Sequence, residues 1–154
     1  MILGQVFSPE SINVDLQSDS KDEVFEELVE KLLEVCPGLD RAKVLQALIE
    51  REQKMSTGIF PGIAVPHART DMVDKVYGVI GVSKKGIDYE SLDNKPVHLF
   101  FLLLSPVGDC EYHLRVITQL SQLLKIPGVS EQILAQKTEA GVYSVICRYE
   151  ENFV

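Results

Sequence analysis

His67 stands behind the apolar run of a segment, Ser56-Thr57-Gly58-Ile59-Phe60-Pro61-Gly62-Ile63-Ala64-Val65-Pro66-His67-Ala68-Arg69, whose residue types suit phosphoryl chemistry. An imidazole is largely neutral and nucleophilic near pH 7, so it can accept a phosphoryl group without a separate base. Gly58 and Gly62 let a backbone approach a ligand closely, and successive N–H groups can form an anion-binding nest. Pro66 fixes its own φ and restricts Val65, which aims the following imidazole. The same letters also describe a Gly/Pro turn that feeds a buried strand and ends in a capping histidine. Composition leaves both readings open.

The elements around this segment follow from periodicity. Ile12-Asn13-Val14-Asp15-Leu16 alternates as a half-buried strand does. Ser20-Lys21-Asp22-Glu23 reads as a capping box, starting a helix that buries Val24, Phe25, Leu28, Leu32 and Val35 and stops at Cys36-Pro37-Gly38. Asp40 caps a second helix with an apolar face of Val44, Leu45, Leu48 and Ile49, running to about Gln53. Ile63 to Val65, Val76 to Val82 and Val97 to Leu104 read as strands, the last two separated by a polar, turn-rich Lys84 to Lys95. Leu99 to Leu104 lacks alternation, which predicts a central strand covered on both faces. A loop from Ser105 to Glu111 leads to a helix over Tyr112 to Lys125, with Leu114, Ile117, Leu120, Leu123 and Leu124 as its core stripe. Ile126-Pro127-Gly128 breaks it, and helical patterns follow over Ser130 to Gln136 and Glu139 to Arg148. Interleaved helices and strands predict an α/β fold: one domain over 1–154, with helices on both faces of a small mixed sheet.

A chain of 154 residues with 45% hydrophobic and 25% charged residues fits one ordinary soluble domain. Its net charge of −8 argues against a nucleic-acid surface and against anionic lipid, and would attract a basic protein partner. The apolar run Leu99 to Leu104 is far short of the roughly 20 residues a membrane helix needs. The start, Met1-Ile2-Leu3-Gly4-Gln5, has no basic n-region and no cleavage pattern, so no signal peptide is expected. Three cysteines without regular spacing fit a reducing cytoplasm: Cys147 as core packing, Cys36 at a helix end, Cys110 more exposed. No CxxC or HExxH spacing suggests a metal, and no cofactor is expected.

Several segments in the same order resemble the enzyme IIA domains of the fructose/mannitol type, phosphoryl carriers of the bacterial sugar phosphotransferase system, together with their nitrogen-regulatory relatives. They are the Thr57-to-Arg69 motif, Ala47 to Glu52 before it, Lys95-Pro96-Val97-His98-Leu99, Glu111-Tyr112-His113-Leu114 and Leu120 to Leu124. The resemblance implies that His67 is phosphorylated at Nε2, with His113 as the second active-site histidine and Arg51 as its arginine. Thr57 and Gly58 match the loop beside the phosphate, and no Mg²⁺ is needed. Phe60-Pro61 departs from the small residues, often Gly-Asn, of many members; the bulk stiffens the loop and bears on partner fit.

Three functions follow. The first is a transferase intermediate that takes phosphate from the phosphorylated histidine carrier protein and passes it to a cysteine of a separate enzyme IIB. The second is a nitrogen-type regulator whose His67 phosphorylation switches binding to kinases or transporters. The third, a hydrolase using His67 and His113 as base and acid, lacks an oxyanion loop or nucleophile. Of the remaining polar residues, His98 reads as structural and Arg69 as partner docking or a solvated salt bridge. Glu52 and Asp71 read as surface carboxylates.

Overall fold

Residues 1–58 and 60–153 are described by a computed structural model, so Ile59 of the motif lies outside the described residues. The strands β1 (Ile12–Asn13), β4 (Tyr77–Ile87), β5 (Val97–Pro106) and β2 (Ile63–Ala64) lie side by side in that order, and β3 (His67–Thr70) also pairs with β5. β4 and β5 are antiparallel, while β1 runs parallel to β4, and β2 and β3 run parallel to β5. The sheet is therefore mixed, as expected. His67 pairs with Leu103, which places the imidazole-bearing residue against the middle of the most buried strand.

Successive side chains of a strand point to opposite faces, and β5 uses both. Phe101 and Leu103 join a core with Val116 and Leu120 of α4 (Cys110–Leu124), Ile133 of α5 (Val129–Leu134) and Ile146 of α6 (Glu139–Glu150). Phe100, Leu102 and Leu104 join the opposite core with Phe25 and Leu28 of α2 (Lys21–Val35) and Val44 and Leu48 of α3 (Arg41–Lys54). Every residue from Leu99 to Leu104 has no accessible surface. The missing alternation was therefore the mark of a strand between two cores. Truncating one of these side chains to Ala costs about 2–5 kcal/mol, because the site cannot fully collapse.

The caps form where the sequence puts them. Ser20 Oγ accepts the Glu23 amide at 3.3 Å, and Asp40 accepts the Lys43 amide at 3.2 Å. The Ser20 box is not reciprocal through the backbone, since the Glu23 carboxylate takes the Ser20 hydroxyl instead. Before the sheet stands α1 (Leu3–Val6), whose amides at Leu3 and Gly4 donate to the buried Glu150 carboxylate at 2.7 and 3.0 Å. A short turn of 3-10 helix, Pro9–Ser11, leads into β1.

Several expected boundaries move. β1 stops at Asn13, because the Asn13 side chain accepts the Asp15 amide and turns the chain out of the ladder. β4 runs on to Ile87 through an irregular register and a Gly86 at φ +84°, so Lys84 to Ile87 is strand rather than turn. A strand over His67–Thr70 was not expected at all. β5 continues to Pro106, and Asp109 caps α4 at the Tyr112 amide, starting the helix at Cys110. Helix α5 occupies Val129–Leu134, and α6 runs two residues past Arg148. Leu114 is 61% exposed and Ile49 38% exposed, so neither belongs to its helix's buried face. His113 occupies the inward position beside Val116 and Leu120 that Leu114 was expected to fill. Cys147 is only half-buried, not core.

Candidate functional site

The site assembles from three elements that meet at the strand ends. The last turn of α3 carries Arg51, whose guanidinium donates to the Met55 carbonyl at 3.1 Å and so caps its own helix. The chain then turns through Ser56, Thr57 and Gly58, reverses at Gly62 (φ +72°) and returns as β2. β3 delivers His67, and the first turn of α4 delivers His113. Arg51, Ser56, Thr57, Phe60, His67 and Ser121 line a cavity of about 90 Å³. The His67 and His113 rings lie across from each other at 6.0 Å between centroids.

Backbone geometry sets the state of His67. Its Nδ1 lies 2.8 Å from the Val65 carbonyl oxygen, which can only accept, so Nδ1 carries the hydrogen. In the neutral ring Nε2 then holds the lone pair. Among the described residues every fully buried side-chain nitrogen or oxygen has a partner. Nε2 of His67 has no partner among the described residues and is not one of the fully buried atoms. His113 is 7% exposed, and its Nδ1 meets the Ser105 hydroxyl at 2.6 Å, while its Nε2 has no hydrogen-bond partner among the described residues. Burial holds His67 below the ordinary histidine value and the Arg51 cation adds to this, against the Val65 bond and Glu52 charge that favour protonation. Burial likewise holds His113 down, helped by the neighbouring His67 and Arg69. Near pH 7 a neutral imidazole and a guanidinium thus line the pocket, and a second neutral imidazole faces His67. That arrangement can offer a lone pair to an electrophile and donors to its oxygens.

The other sequence-derived residues divide. Thr57 reaches the cavity, while Gly58 packs instead on Tyr89 and Ser91; a Cβ there would stand 2.7 Å from Ser91 Cβ. Phe60 is half-buried against the α4 core, and Pro61 is exposed. His98 stays apart from the site, with Nδ1 at 2.9 Å from the Ser83 carbonyl. Arg69 forms no ion pair among the described residues; it donates to the Val107 carbonyl at 2.6 Å and reaches Cys110 Sγ at 2.9 Å. It thereby ties β3 to the start of α4. Asp71 is exposed, as expected.

Glu52 is the main correction. Read as a surface carboxylate, it is 9% exposed and accepts the Thr57 amide at 2.9 Å and the Thr57 hydroxyl at 2.6 Å. Tyr89 donates to it at 3.1 Å, and Lys21 pairs with it at 3.0 Å. Burial raises the Glu52 carboxyl, but its bonds to Thr57 and Lys21 outweigh that and leave it below the usual carboxylate range. The Tyr89 hydroxyl is pushed well above its ordinary value by burial and by the adjacent carboxylate. Ser105, which holds His113, was also missed; it lies fully buried near the end of β5, and a serine directly after the apolar run Leu99 to Leu104 was the available signal. Beyond Glu52, an open cleft of about 710 Å³ lies between Lys21, Ser56 and Asp88, and neither histidine lines it. No group of three or more His, Cys, Asp or Glu among the described residues is placed to hold a metal ion. No helix among them is long and apolar enough to cross a membrane.

The family model described as phosphoenolpyruvate-dependent sugar phosphotransferase system, EIIA 2, matches residues 5–149. The chain is 33% identical over 151 residues to the fructose-specific EIIABC component of Bacillus subtilis, covering 98% of this chain and 24% of that protein. It is 32% identical over 146 residues to a nitrogen regulatory protein of Bradyrhizobium diazoefficiens, covering 95% of each. The crystal structure of nitrogen regulatory protein IIA-Ntr from Neisseria meningitidis superposes with a TM-score of 0.88 at 28% identity, covering 95% of this chain and 99% of that one. The chain belongs to the EIIA 2 family of the phosphoenolpyruvate-dependent sugar phosphotransferase system.

Proposed function

We propose that this EIIA-family chain is a phosphoryl carrier that accepts phosphate on His67 Nε2 from the phosphorylated histidine carrier protein and passes it to a cysteine of a separate enzyme IIB for sugar uptake. The observation that carries the reading is the Val65 carbonyl bond to His67 Nδ1, opposite a second imidazole at 6.0 Å. That bond leaves the lone pair on the nitrogen that is open. On transfer the donor's N–P bond breaks, the Nε2–P bond forms, and no proton need move, because the attacking ring is already neutral. The product ring is cationic, and its Nδ1–H then makes a charge-assisted bond to the Val65 carbonyl, which is stronger than the neutral one.

Phosphoryl transfer is mostly positioning and charge stabilisation, since the transition state is loose and spreads its charge over three oxygens. His113 Nε2 and the Arg51 guanidinium are the donors for those oxygens. The guanidinium fork matches phosphate geometry, and the partly buried setting makes each bond worth more than in bulk water. Onward transfer reverses the step, with a thiolate as the attacking group and neutral His67 as the leaving group.

A second reading has its own support, in the regulatory relative aligned over 95% of each chain. In it the same phosphohistidine gates a binding surface, because a negatively charged phosphoryl group with three acceptor oxygens is placed beside Phe60 and Arg51. Incubation with phosphoenolpyruvate, enzyme I and the histidine carrier tests both readings at their common step. An acid-labile, base-stable mass gain that disappears in His67→Ala is expected, and label that persists in that variant overturns the assignment. Adding a purified enzyme IIB then separates them: loss of the label to its cysteine supports the carrier, and retention supports the regulator.

A further inference from the structure

We infer that Glu52 is a positioning residue for phosphoryl acceptance, acting on His67 through a continuous path of hydrogen bonds across two backbone segments. Its carboxylate fixes Thr57 at the amide and the hydroxyl, at 2.9 and 2.6 Å. The Thr57 carbonyl accepts the Val65 amide at 3.1 Å, and the Val65 carbonyl holds His67 Nδ1 at 2.8 Å. The carboxylate thus orients one peptide, that peptide orients the next, and the second orients the imidazole. The inference rests on the phosphoryl-acceptor reading of His67.

Solvation makes this more than an incidental contact. A buried carboxylate costs several kcal/mol unless its lone pairs are filled, so one kept ionised needs every partner it has. Oε2 takes the Thr57 amide and the Lys21 ammonium; Oε1 takes the Thr57 and Tyr89 hydroxyls. Those partners come from α2, from the loop and from the segment after β4, so Glu52 joins three parts of the fold at the back of the site. Tyr89 is itself immobile, fully buried against Phe25 and Phe100 with ring centroids at 6.0 and 5.7 Å. Both Thr57 donors are spent on Glu52, so Thr57 serves the site by its shape and its carbonyl rather than by binding phosphate. Bonds in such a chain polarise one another, and the Glu52 charge strengthens the pull on His67 Nδ1–H.

The charged and titratable groups facing His67 are Arg51 and Glu52 from α3 and His113 from α4, with Arg69 behind His113. Glu52→Gln removes the one negative charge among them and offers a donor where two donors arrive. Imidazole titration by NMR, which needs no phosphoryl donor, should then find His67 protonating at lower pH than in the wild type. The rate of labelling by the phosphorylated carrier should fall by about tenfold or more, the scale of one charge-assisted bond. Thr57→Ser, which keeps both donors, should label at the wild-type rate, and Thr57→Val should not. An unmoved His67 titration in Glu52→Gln, or wild-type labelling by Thr57→Val, overturns the inference. Should Glu52→Gln fail to fold, the Thr57 pair decides alone. A wild-type protein that accepts no phosphate defeats the acceptor reading instead, while the titration still reports on Glu52.

Discussion

His67 and His98 are held by the same device, yet only one stands in a site. Each points Nδ1 at a backbone carbonyl, Val65 at 2.8 Å and Ser83 at 2.9 Å, and each so carries a hydrogen on Nδ1. What differs is the company of the other nitrogen. Opposite His67 stand a second imidazole and an arginine, and both can donate to an incoming anion. His98 packs on the Gly86 bend, where an added Cβ would lie 2.8 Å from its ring. Pinning a tautomer is therefore cheap and common, and the donors gathered around the free nitrogen decide whether it can do chemistry.

The sharpest way to break this contrast is to remove one histidine at a time. His67→Ala should lose labelling entirely, and His98→Ala should keep it. Loss of labelling in a folded His98→Ala would make the two imidazoles functionally alike. Next in size is His113→Ala. Losing one charge-assisted bond to the phosphoryl group costs about 1.5–3 kcal/mol, or roughly tenfold to a hundredfold in the transfer rate. Arg51→Lys should fall in the same range, because an ammonium cannot reproduce the planar fork. Stopped-flow transfer from the carrier measures both, and unchanged rates would leave His67 as isolated as His98.

A pH series sharpens the comparison further. His67 and His113 both sit below the ordinary value of about 6.5 in the folded protein, so as pH falls the unfolded chain takes up protons first. The stability they leave intact above that value is lost as pH falls through their folded values. Urea unfolding across that window should show a steeper loss for the wild type than for a His67→Asn, His113→Asn double variant. Equal slopes would mean that the pocket does not discriminate against the imidazolium. The smallest expected effect is that of Phe60-Pro61→Gly-Asn. Phe60 is half-buried against the α4 core, so about 1 kcal/mol of stability should go. An accompanying rise in KM for the carrier would add a docking role, and an unchanged KM would restrict Phe60 to packing.

Much of this could be read from the letters. Ser20, Asp40 and the unbroken run Leu99 to Leu104 declare their elements because caps and two-sided burial are local or nearly local demands. Their physics fits in a few residues of sequence. His67 was marked by its own neighbours, but the pairing with His113 came from resemblance, since nothing within α4 distinguishes His113 from Leu114 until the Asp109 cap fixes the helix phase. Glu52 was illegible for the same reason at longer range. Its burial depends on Tyr89, which is 37 residues away, and on Lys21 across another helix. A carboxylate at the end of an amphipathic helix looks solvated until the partners that bury it are known. The strand at His67–Thr70 was hidden too, because a His-Ala-Arg-Thr sequence has no strand character without β5 beside it.

The Glu150 clasp on Leu3 and Gly4 joins residues 147 positions apart, and it sets an order of events during synthesis. A four-residue helix cannot hold itself, because nucleation is unfavourable and its first amides need an acceptor. That acceptor is almost the last residue of the fold to leave the ribosome. At synthesis rates of about 5–20 residues per second, α1 waits on the order of ten seconds before its partner exists. The β4–β5 pair with α2, α3 and α4 can form in that interval, so α1 is fixed only once α6 has been made.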